Sequence, residues 1–520
     1  MKLKWLVVLI SILLLGAGLR LYFARFGILF EPDNYIYLSV AQQTLAHNLT
    51  ITSVLSSVPA RAYDEYPGLV LFPAGLAALT GISVFDIIMY VPVFLGIIGI
   101  LLAYLLGFEL SQNRYVGLFA AFLYAVLPAA LMRSVAGEWR GEVFVSVFLG
   151  SAFYFLIKLM AAERKNSMFV WGALSALMVL LSLMWWSGGV YVLVPIGIFY
   201  FSFVVFRVAP KFLRNMDSNK RNRITFGITI LGFGIGIPIF YRAYKLAQIL
   251  VGGFTAFLPS FISELAPTSA FFLLEYFGWV FIAALLGLGI VMWYENVEKF
   301  GGASYALFAL FMPAFLMTLF AVRWIALLVL PACVLGAYGV YAIVKIMRIN
   351  RNAALFAVAG LAFVSLLLGV VWVAGLAPSD NVNASFISAL VWVRNNTPSN
   401  AVILTMWPDG SVVEGVSDRT SFTDSVISQT SSLIIPFERF LYARAGNYSY
   451  LASWLNKTDE RPAYLLARSM WHSERGAILL EAGLPLNTSW NGTNLESMEN
   501  KSFGYPLLYD ANGTLIYRLR

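Results

Sequence analysis

The residues able to do chemistry sit in a few short polar segments of an otherwise apolar chain. Phe30-Glu-Pro-Asp-Asn-Tyr35 carries Glu31 and Asp33. Arg133-Ser-Val-Ala-Gly-Glu-Trp-Arg-Gly-Glu142 carries Glu138, Arg140 and Glu142. Phe261-Ile-Ser-Glu-Leu-Ala-Pro267 adds Glu264, and a single Arg323 stands between two apolar runs. Carboxylates drawn from separate turns can gather a hard divalent cation such as Mg²⁺ or Mn²⁺ through oxygen ligands. An arginine beside them can clamp a phosphate. Each residue also has an ordinary use: Asp33 could cap the following helix, Glu142 could face a helix N-terminus, Glu264 could be a solvated loop acid, and Arg323 could snorkel to an interface. His47, His472 and Cys333 carry no pattern, and no phosphate-binding glycine loop, His-Glu-x-x-His or Gly-x-Ser-x-Gly motif occurs.

The elements that position these groups are membrane spans. Of 520 residues, 60% are hydrophobic and only 12% charged, where a soluble globule carries about 25% charge. The apolar residues come in blocks long enough to cross ~30 Å of hydrocarbon as helices. Spans are expected near 5–23, 83–108, 115–132, 142–161, 168–185, 188–206, 224–241, 270–292, 303–320, 324–344 and 353–377. Two semi-apolar stretches, 67–82 and 245–260, would raise eleven spans to thirteen. The N-terminus resembles a signal peptide without a small-residue cleavage site and is read as a retained first span. With that terminus inside, the inner loops hold fifteen Lys and Arg and the longer outer loops hold seven. The positive-inside rule then puts residues 378–520 and all the candidate segments outside. The net charge of +8 follows this topology, so nucleic acid is not an expected partner. Nine Asn-x-Ser/Thr sequons agree: eight lie after residue 380, and the ninth, at Asn48, lies in an outer loop.

The fold class expected is therefore an α-helical polytopic membrane bundle over 1–377, with a mixed α/β extracytoplasmic domain over 378–520. In that domain Ala401–Met406 and Ala463–Ala467 read as strands. Pro436–Ala445 and Tyr448–Asn456 read as helices. Leu507–Tyr517 reads as a hairpin turning at Asn512-Gly513.

In this order the segments resemble the catalytic subunit of oligosaccharyltransferase, in particular the archaeal single-subunit type with a short external domain. Glu31-Pro-Asp33 resembles its first-loop Asp motif, Tyr66-Pro-Gly68 its Tyr-Pro-x-Gly stretch, and Arg133–Gly137 the lead-in to its second acidic motif. Ser187-Gly-Gly after Trp185-Trp186 resembles its Trp-x-Gly turn, and Ile262-Ser-Glu264 its Thr-Ile-x-Glu loop. Arg323-Trp324 with Pro331 resembles its Arg-Phe segment. Ile403–Gly410 aligns with the Trp-Trp-Asp-Tyr-Gly signature, and Asp418–Asp424 resembles the segment downstream.

The resemblance implies a lipid-sugar glycosyltransferase C type bundle of thirteen spans. It implies transfer of a glycan from a dolichol-linked phosphate or pyrophosphate donor to Asn of Asn-x-Ser/Thr. Asp33 and Glu264 would orient the acceptor amide, and Arg323 would neutralise the donor phosphate. A divalent metal, Mn²⁺ or Mg²⁺, would be held by Asp33 and Glu142, with Glu138 as a replacement ligand. Trp407, Asp409 and Gly410 would hold the sequon hydroxyl, and Arg475 would stand on a helix near His472–Ile478. Partners would be the lipid-linked donor, an acceptor polypeptide and membrane lipid.

Two departures stand out. Arg140 occupies the first acidic position of the second motif, and Met406 and Pro408 replace a Trp and the Asp of the tail signature, leaving Asp409 one place later. They keep open another polyprenyl-phosphate-sugar glycosyltransferase of the same architecture, or a diverged or inactive paralogue. A transporter would need polar groups in the middle of spans, and few are present.

Overall fold

The computed structural model describes residues 3–49, 67–185, 197, 268–294, 302–376, 382–422, 437, 439–449, 451, 461–468, 489, 491, 493–511 and 514–519. Expected spans 188–206 (apart from residue 197) and 224–241, the doubtful stretch 245–260, Glu264, and His472 to Ile478 with Arg475 lie outside the described residues, as does the Asn512-Gly513 turn.

Six described helices are long and apolar enough to cross a membrane, or seven if one bent pair is counted as a span. The chain is a multi-pass membrane protein. α1 (Leu3–Leu21), α2 (Pro32–Ala46), α3 (Pro67–Thr80), α4 (Val84–Ser111), α5 (Arg114–Val126), α6 (Pro128–Leu131), α7 (Gly141–Ala161) and α8 (Lys165–Trp185) run in order. α9 (Ala270–Phe277), α10 (Trp279–Tyr294), α11 (Gly302–Phe320), α12 (Ile325–Ile346) and α13 (Arg351–Ala374) follow.

Two expected spans are broken, for visible reasons. The stretch 115–132 is interrupted where Pro128, lacking an N–H, ends α5 and opens the short α6. The stretch 270–292 bends by 95° between α9 and α10. The bend falls at Gly278, whose φ of 55° with ψ of −140° suits a residue without a Cβ. The stretch 67–82 does form a helix, α3, but its 14 residues reach only ~21 Å at 1.5 Å per residue, short of a bilayer core.

Two compact units share the chain. The first comprises Met1–Tyr22, Pro92–Val135 and Arg140–Gly375. In it α12 is almost wholly buried and packs against α5, α7, α10 and α11. Small residues let α10 and α12 approach: a Cβ on Gly339 would stand 2.3 Å from the Ala283 carbonyl oxygen. Without a hydrophobic drive between helices in lipid, such close backbone contact is what holds them. α8 and α13 are mostly exposed, and Phe169, Leu180, Phe356 and Phe363 cover them with apolar surface suited to lipid.

The second unit comprises Phe23–Val91, Ala136–Trp139 and Leu376–Arg520. It contains α14 (Ala384–Asn396), β1 (Val402–Leu404), α15 (Trp407–Ser417), β2 (Thr420–Ser421), β3 (Ala463–Arg468), α16 (Asn494–Glu499), β4 (Leu507–Ala511) and β5 (Thr514–Arg518). Its sheet has the order β2-β1-β3-β5-β4. β1 pairs in parallel with β2 and β3, while β5 pairs antiparallel with β3 and β4. The expected strands and hairpin are present, and the region is mixed α/β. β1 and β3 are buried along their whole length, as the apolar runs Val402–Leu404 and Ala463–Ala467 require, with Arg468 buried at the end of β3. Val402, Leu404, Leu465, Phe440, Phe503 and Tyr517 are among the side chains of the core on the sheet. α15 was not expected from the sequence; Pro408 sits in its first turn, where its missing N–H costs nothing.

Candidate active site

In the second unit, α2 presents the first acidic segment. Its N-cap residue is Glu31, with Pro32 next, so Asp33 lies in the first helical turn and is not the cap. The positive end of the helix favours a carboxylate there. The next residue, Asn34, is fully buried. Its Nδ2 donates to the Gly137 carbonyl at 2.8 Å and to Glu138 Oε2 at 3.4 Å. The loop of the second acidic motif is thus tied to the loop of the first. Phe30 N also donates to the Gly137 carbonyl (3.0 Å), and Gly137 N donates to Met89 O (2.8 Å). Gly137 adopts φ +80°, and a Cβ there would stand 3.2 Å from Leu29 Cα and from Phe30 N, so the position needs glycine. Trp139 locks the other side of Glu138: its Nε1 donates to Leu69 O at 3.1 Å. That carbonyl would normally bond the N–H four residues on, where α3 has Pro73. Trp139 supplies the donor that proline lacks.

The same unit carries the tail motif. α15 packs on α2, and its Gly415 approaches Tyr35 so closely that a Cβ would stand 2.6 Å from the Tyr35 carbonyl oxygen. The Tyr35 hydroxyl accepts from Leu29 N (3.1 Å), and burial pushes its pKa up. Asp409 and Gly410 lie in the first turn of α15; the side chains of Trp407 and Pro408 lie outside the described residues. Asp409 is buried, and its Oδ1 accepts from Arg468 Nη1 at 2.5 Å. Arg468 ends β3, and its guanidinium sits 4.0 Å from the Phe386 ring centre. Glu414 Oε1 accepts from Ser421 N (3.1 Å) and ties α15 to β2. Arg419, of the downstream segment, donates to the carbonyls of Arg394, Thr397, Ser417 and Asp418 and so closes the ends of α14 and α15. Burial pulls its guanidinium pKa down from the usual value, against the pull of Asp418.

In the first unit, Arg140 is the N-cap residue of α7 and Glu142 lies in its first turn, buried. Arg323 stands on the helical turn Val322–Trp324 between α11 and α12. Its Nη2 and Nε donate to Glu142 Oε1 at 2.7 and 3.3 Å. The expected phosphate clamp and one expected metal ligand are therefore an ion pair.

Whether these residues suit a metal depends on the donors. Among the described residues no group of three or more His, Cys, Asp or Glu side chains comes together. What is present in the second unit, Asp33, Glu138 and the amide of Asn34, is a set of hard oxygen donors. Asn34 Oδ1 is buried without a hydrogen-bond partner, an acceptor of the kind a hard cation satisfies. The donor chemistry fits a hard divalent ion, and Glu264, the further acid expected, lies outside the described residues.

Sequence reasoning passed over Asn34, Trp139, Arg468 and Arg20. A lone arginine within the apolar run of the first span was a readable signal; nothing in the sequence links Arg468 to Asp409, 59 positions away.

Residues 59–408 match the family model described as Oligosaccharyl transferase STT3, N-terminal. Dolichyl-phosphooligosaccharide-protein glycotransferase 1 of Pyrococcus horikoshii is 23% identical over 536 residues, covering 85% of this chain and 54% of the relative. The chain thus spans about half the length of that relative. Among solved structures, the oligosaccharyltransferase AglB of Archaeoglobus fulgidus in complex with an inhibitory peptide and a dolichol-phosphate superimposes with a TM-score of 0.72 at 15% identity, over 99% of this chain and 74% of that one. An Archaeoglobus fulgidus oligosaccharyltransferase in complex with Zn and sulfate gives 0.69 at 16% identity, over 98% and 73%. At these identities the likeness establishes the fold alone.

Proposed function

The chain belongs to the oligosaccharyl transferase STT3 family, and on that premise we propose that it moves an oligosaccharide from a dolichol-linked phosphate or pyrophosphate donor to asparagine in Asn-x-Ser/Thr. The observation that carries the reading lies within the second unit. There α2, whose first turn carries Asp33, packs directly on α15, which opens with Trp407-Pro-Asp-Gly410. A group that engages the acceptor amide and a segment that recognises its sequon are thereby held on adjoining helices.

In the reaction the sugar C1–O bond to phosphate breaks and a C1–N bond to the acceptor amide forms. The amide gives up one proton, and the lipid phosphate leaves with the electron pair. The amide nitrogen is a weak nucleophile because its lone pair is delocalised. Asp33, with Glu264, accepts its N–H bonds, orients it and takes up the proton. Arg323, steadied by Glu142, neutralises charge on the leaving phosphate. Trp407, Asp409 and Gly410 receive the sequon hydroxyl, with Arg468 holding Asp409 in place. A divalent ion, Mn²⁺ or Mg²⁺, held by Asp33 and Glu138, supplies further charge neutralisation when bound. Glu142, the other expected ligand, lies in the first unit, where it accepts from Arg323.

We place the N-terminus in the cytoplasm and the region after residue 377 outside, on the Lys and Arg asymmetry of the loops. Residues 1–377 then form the transmembrane catalytic domain and 378–520 the extracytoplasmic domain with the sequon pocket. Relatives from Pyrococcus horikoshii and Archaeoglobus fulgidus support an archaeal cell membrane as the location of this chain. A second reading, a paralogue acting on a different acceptor, is favoured by Arg140 at the position of an acid.

The test is glycopeptide formation by the purified chain from a lipid-linked oligosaccharide and a sequon peptide, with Mn²⁺, with Mg²⁺ and with EDTA. Product with the Asn peptide and none with a Gln control is expected. Absence of product in every metal condition would remove the proposal. An Asp33→Ala variant of full activity would remove the assignment of Asp33.

A further inference from the structure

Arg20, near the end of the first span, is wholly buried. Its four hydrogen bonds all go to uncharged acceptors: Ser134 Oγ at 2.9 Å, Gly16 O and Ala125 O at 3.0 Å, and Tyr124 O at 3.2 Å. An arginine inside an apolar span is costly to keep and marks a role. The role follows from Pro128. The Tyr124 carbonyl would bond the N–H four residues ahead, and residue 128 has none. In hydrocarbon no water can replace that donor. Arg20 Nη2 and Nη1 satisfy Tyr124 O and Ala125 O, the open carbonyls at the negative end of α5. Its Nε reaches onward to Ser134, whose hydroxyl donates to Ala130 O at 2.6 Å across α6. One guanidinium thus bolts together the end of α5, the turn of α6 and Ser134. The slot is cut for it: a Cβ on Gly96 of α4 would stand 2.2 Å from Arg20 Nε.

Ser134 belongs to the lead-in Arg133-Ser-Val-Ala-Gly137, and the chain from it runs to Arg140, the N-cap of α7, and to Glu142, which holds Arg323. We propose that Arg20, through Ser134, is a positioning residue for the second acidic motif, fixing from the first span the segment that delivers Glu142 and its partner Arg323. The effect on catalysis rests on the glycan-transfer reading above; the effect on the segment does not.

The experiment compares the full chain with Ser134→Ala, Gly96→Ala, Arg20→Lys and, as control, Gly18→Ala, where an added Cβ meets nothing within 4 Å. Hydrogen exchange of peptides covering 132–143 is read beside glycopeptide kinetics and melting temperature. Ser134→Ala and Gly96→Ala are expected to raise exchange in that segment about 5-fold or more while leaving the rest of the chain protected. They should lower kcat about 10-fold with the peptide KM within about 2-fold. Arg20→Lys, with one point charge in place of a fork, should match or exceed Ser134→Ala. Wild-type exchange and kcat in both Ser134→Ala and Gly96→Ala, with at most a shifted melting temperature, would overturn the proposal. If the wild-type chain transfers no glycan, the functional reading fails, and the exchange data alone still decide the positioning.

Discussion

Replacing Arg468 by Met is the most demanding single perturbation of the second unit. The Met side chain keeps most of the packing volume against Phe386 but leaves Asp409 buried without its cation. At 2.5 Å the pair is worth about 7 kcal/mol of Coulomb energy with an effective dielectric constant of ~20. Desolvation of two ions takes back several kcal/mol, and removing one partner of such a pair typically costs ~3–5 kcal/mol. At roughly 2–4 °C per kcal/mol for a unit of this size, the melting temperature of the detergent-purified chain should fall by about 6–20 °C. The double variant Arg468→Met with Asp409→Asn leaves no buried charge at these two positions and should recover much of that loss, a coupling of at least ~1.5 kcal/mol in the cycle. The peptide KM should rise in Arg468→Met, because Asp409 then loses the Arg468 bond that helps orient it at the proposed sequon pocket. A melting temperature within about 2 °C of wild type for Arg468→Met, or a double variant no better than the single, would refute the reasoning.

Three further outcomes are expected. Trp139→Phe keeps the ring that stacks on Phe72 but leaves the Leu69 carbonyl without its donor; a loss of ~1–3 kcal/mol in unfolding free energy and reduced transfer are expected, checked by melting and by glycopeptide yield. Gly415→Ala forces a methyl to 2.6 Å from the Tyr35 carbonyl oxygen and should separate α15 from α2, read as a peptide KM raised by roughly 10-fold or as loss of the folded chain in size exclusion. Arg323→Ala strips Glu142 of its cation; kcat should drop by about 100-fold with less change in peptide KM, and an unchanged kcat would show that Arg323 does not serve the donor phosphate.

How much of this was readable beforehand differs from element to element. α1, α4, α7, α8, α12 and α13 follow from uninterrupted apolar runs, because unpaired backbone in lipid leaves only the helix. β1, β3 and the β4–β5 hairpin follow from short apolar or alternating runs closed by turn residues. α15 was hidden because Trp-Pro-Asp-Gly reads as a turn, whereas Pro408 in a first helical turn is harmless. The break at Gly278 was hidden because hydropathy averages over the one residue that takes a positive φ.

For the site, residue types were legible, and partners were not. The sequence by itself determined that acids and arginines stand in loops beside apolar spans, since composition and Lys/Arg asymmetry are local properties of the chain. Only the tertiary structure decided that Glu142 is held by Arg323 across 181 positions and Asp409 by Arg468 across 59. It likewise decided that Pro128 and Pro73 each leave a carbonyl for a distant side chain to fill, Arg20 in one case and Trp139 in the other. A buried polar group must find a partner, but which partner depends on the approach of chain segments that no local pattern records.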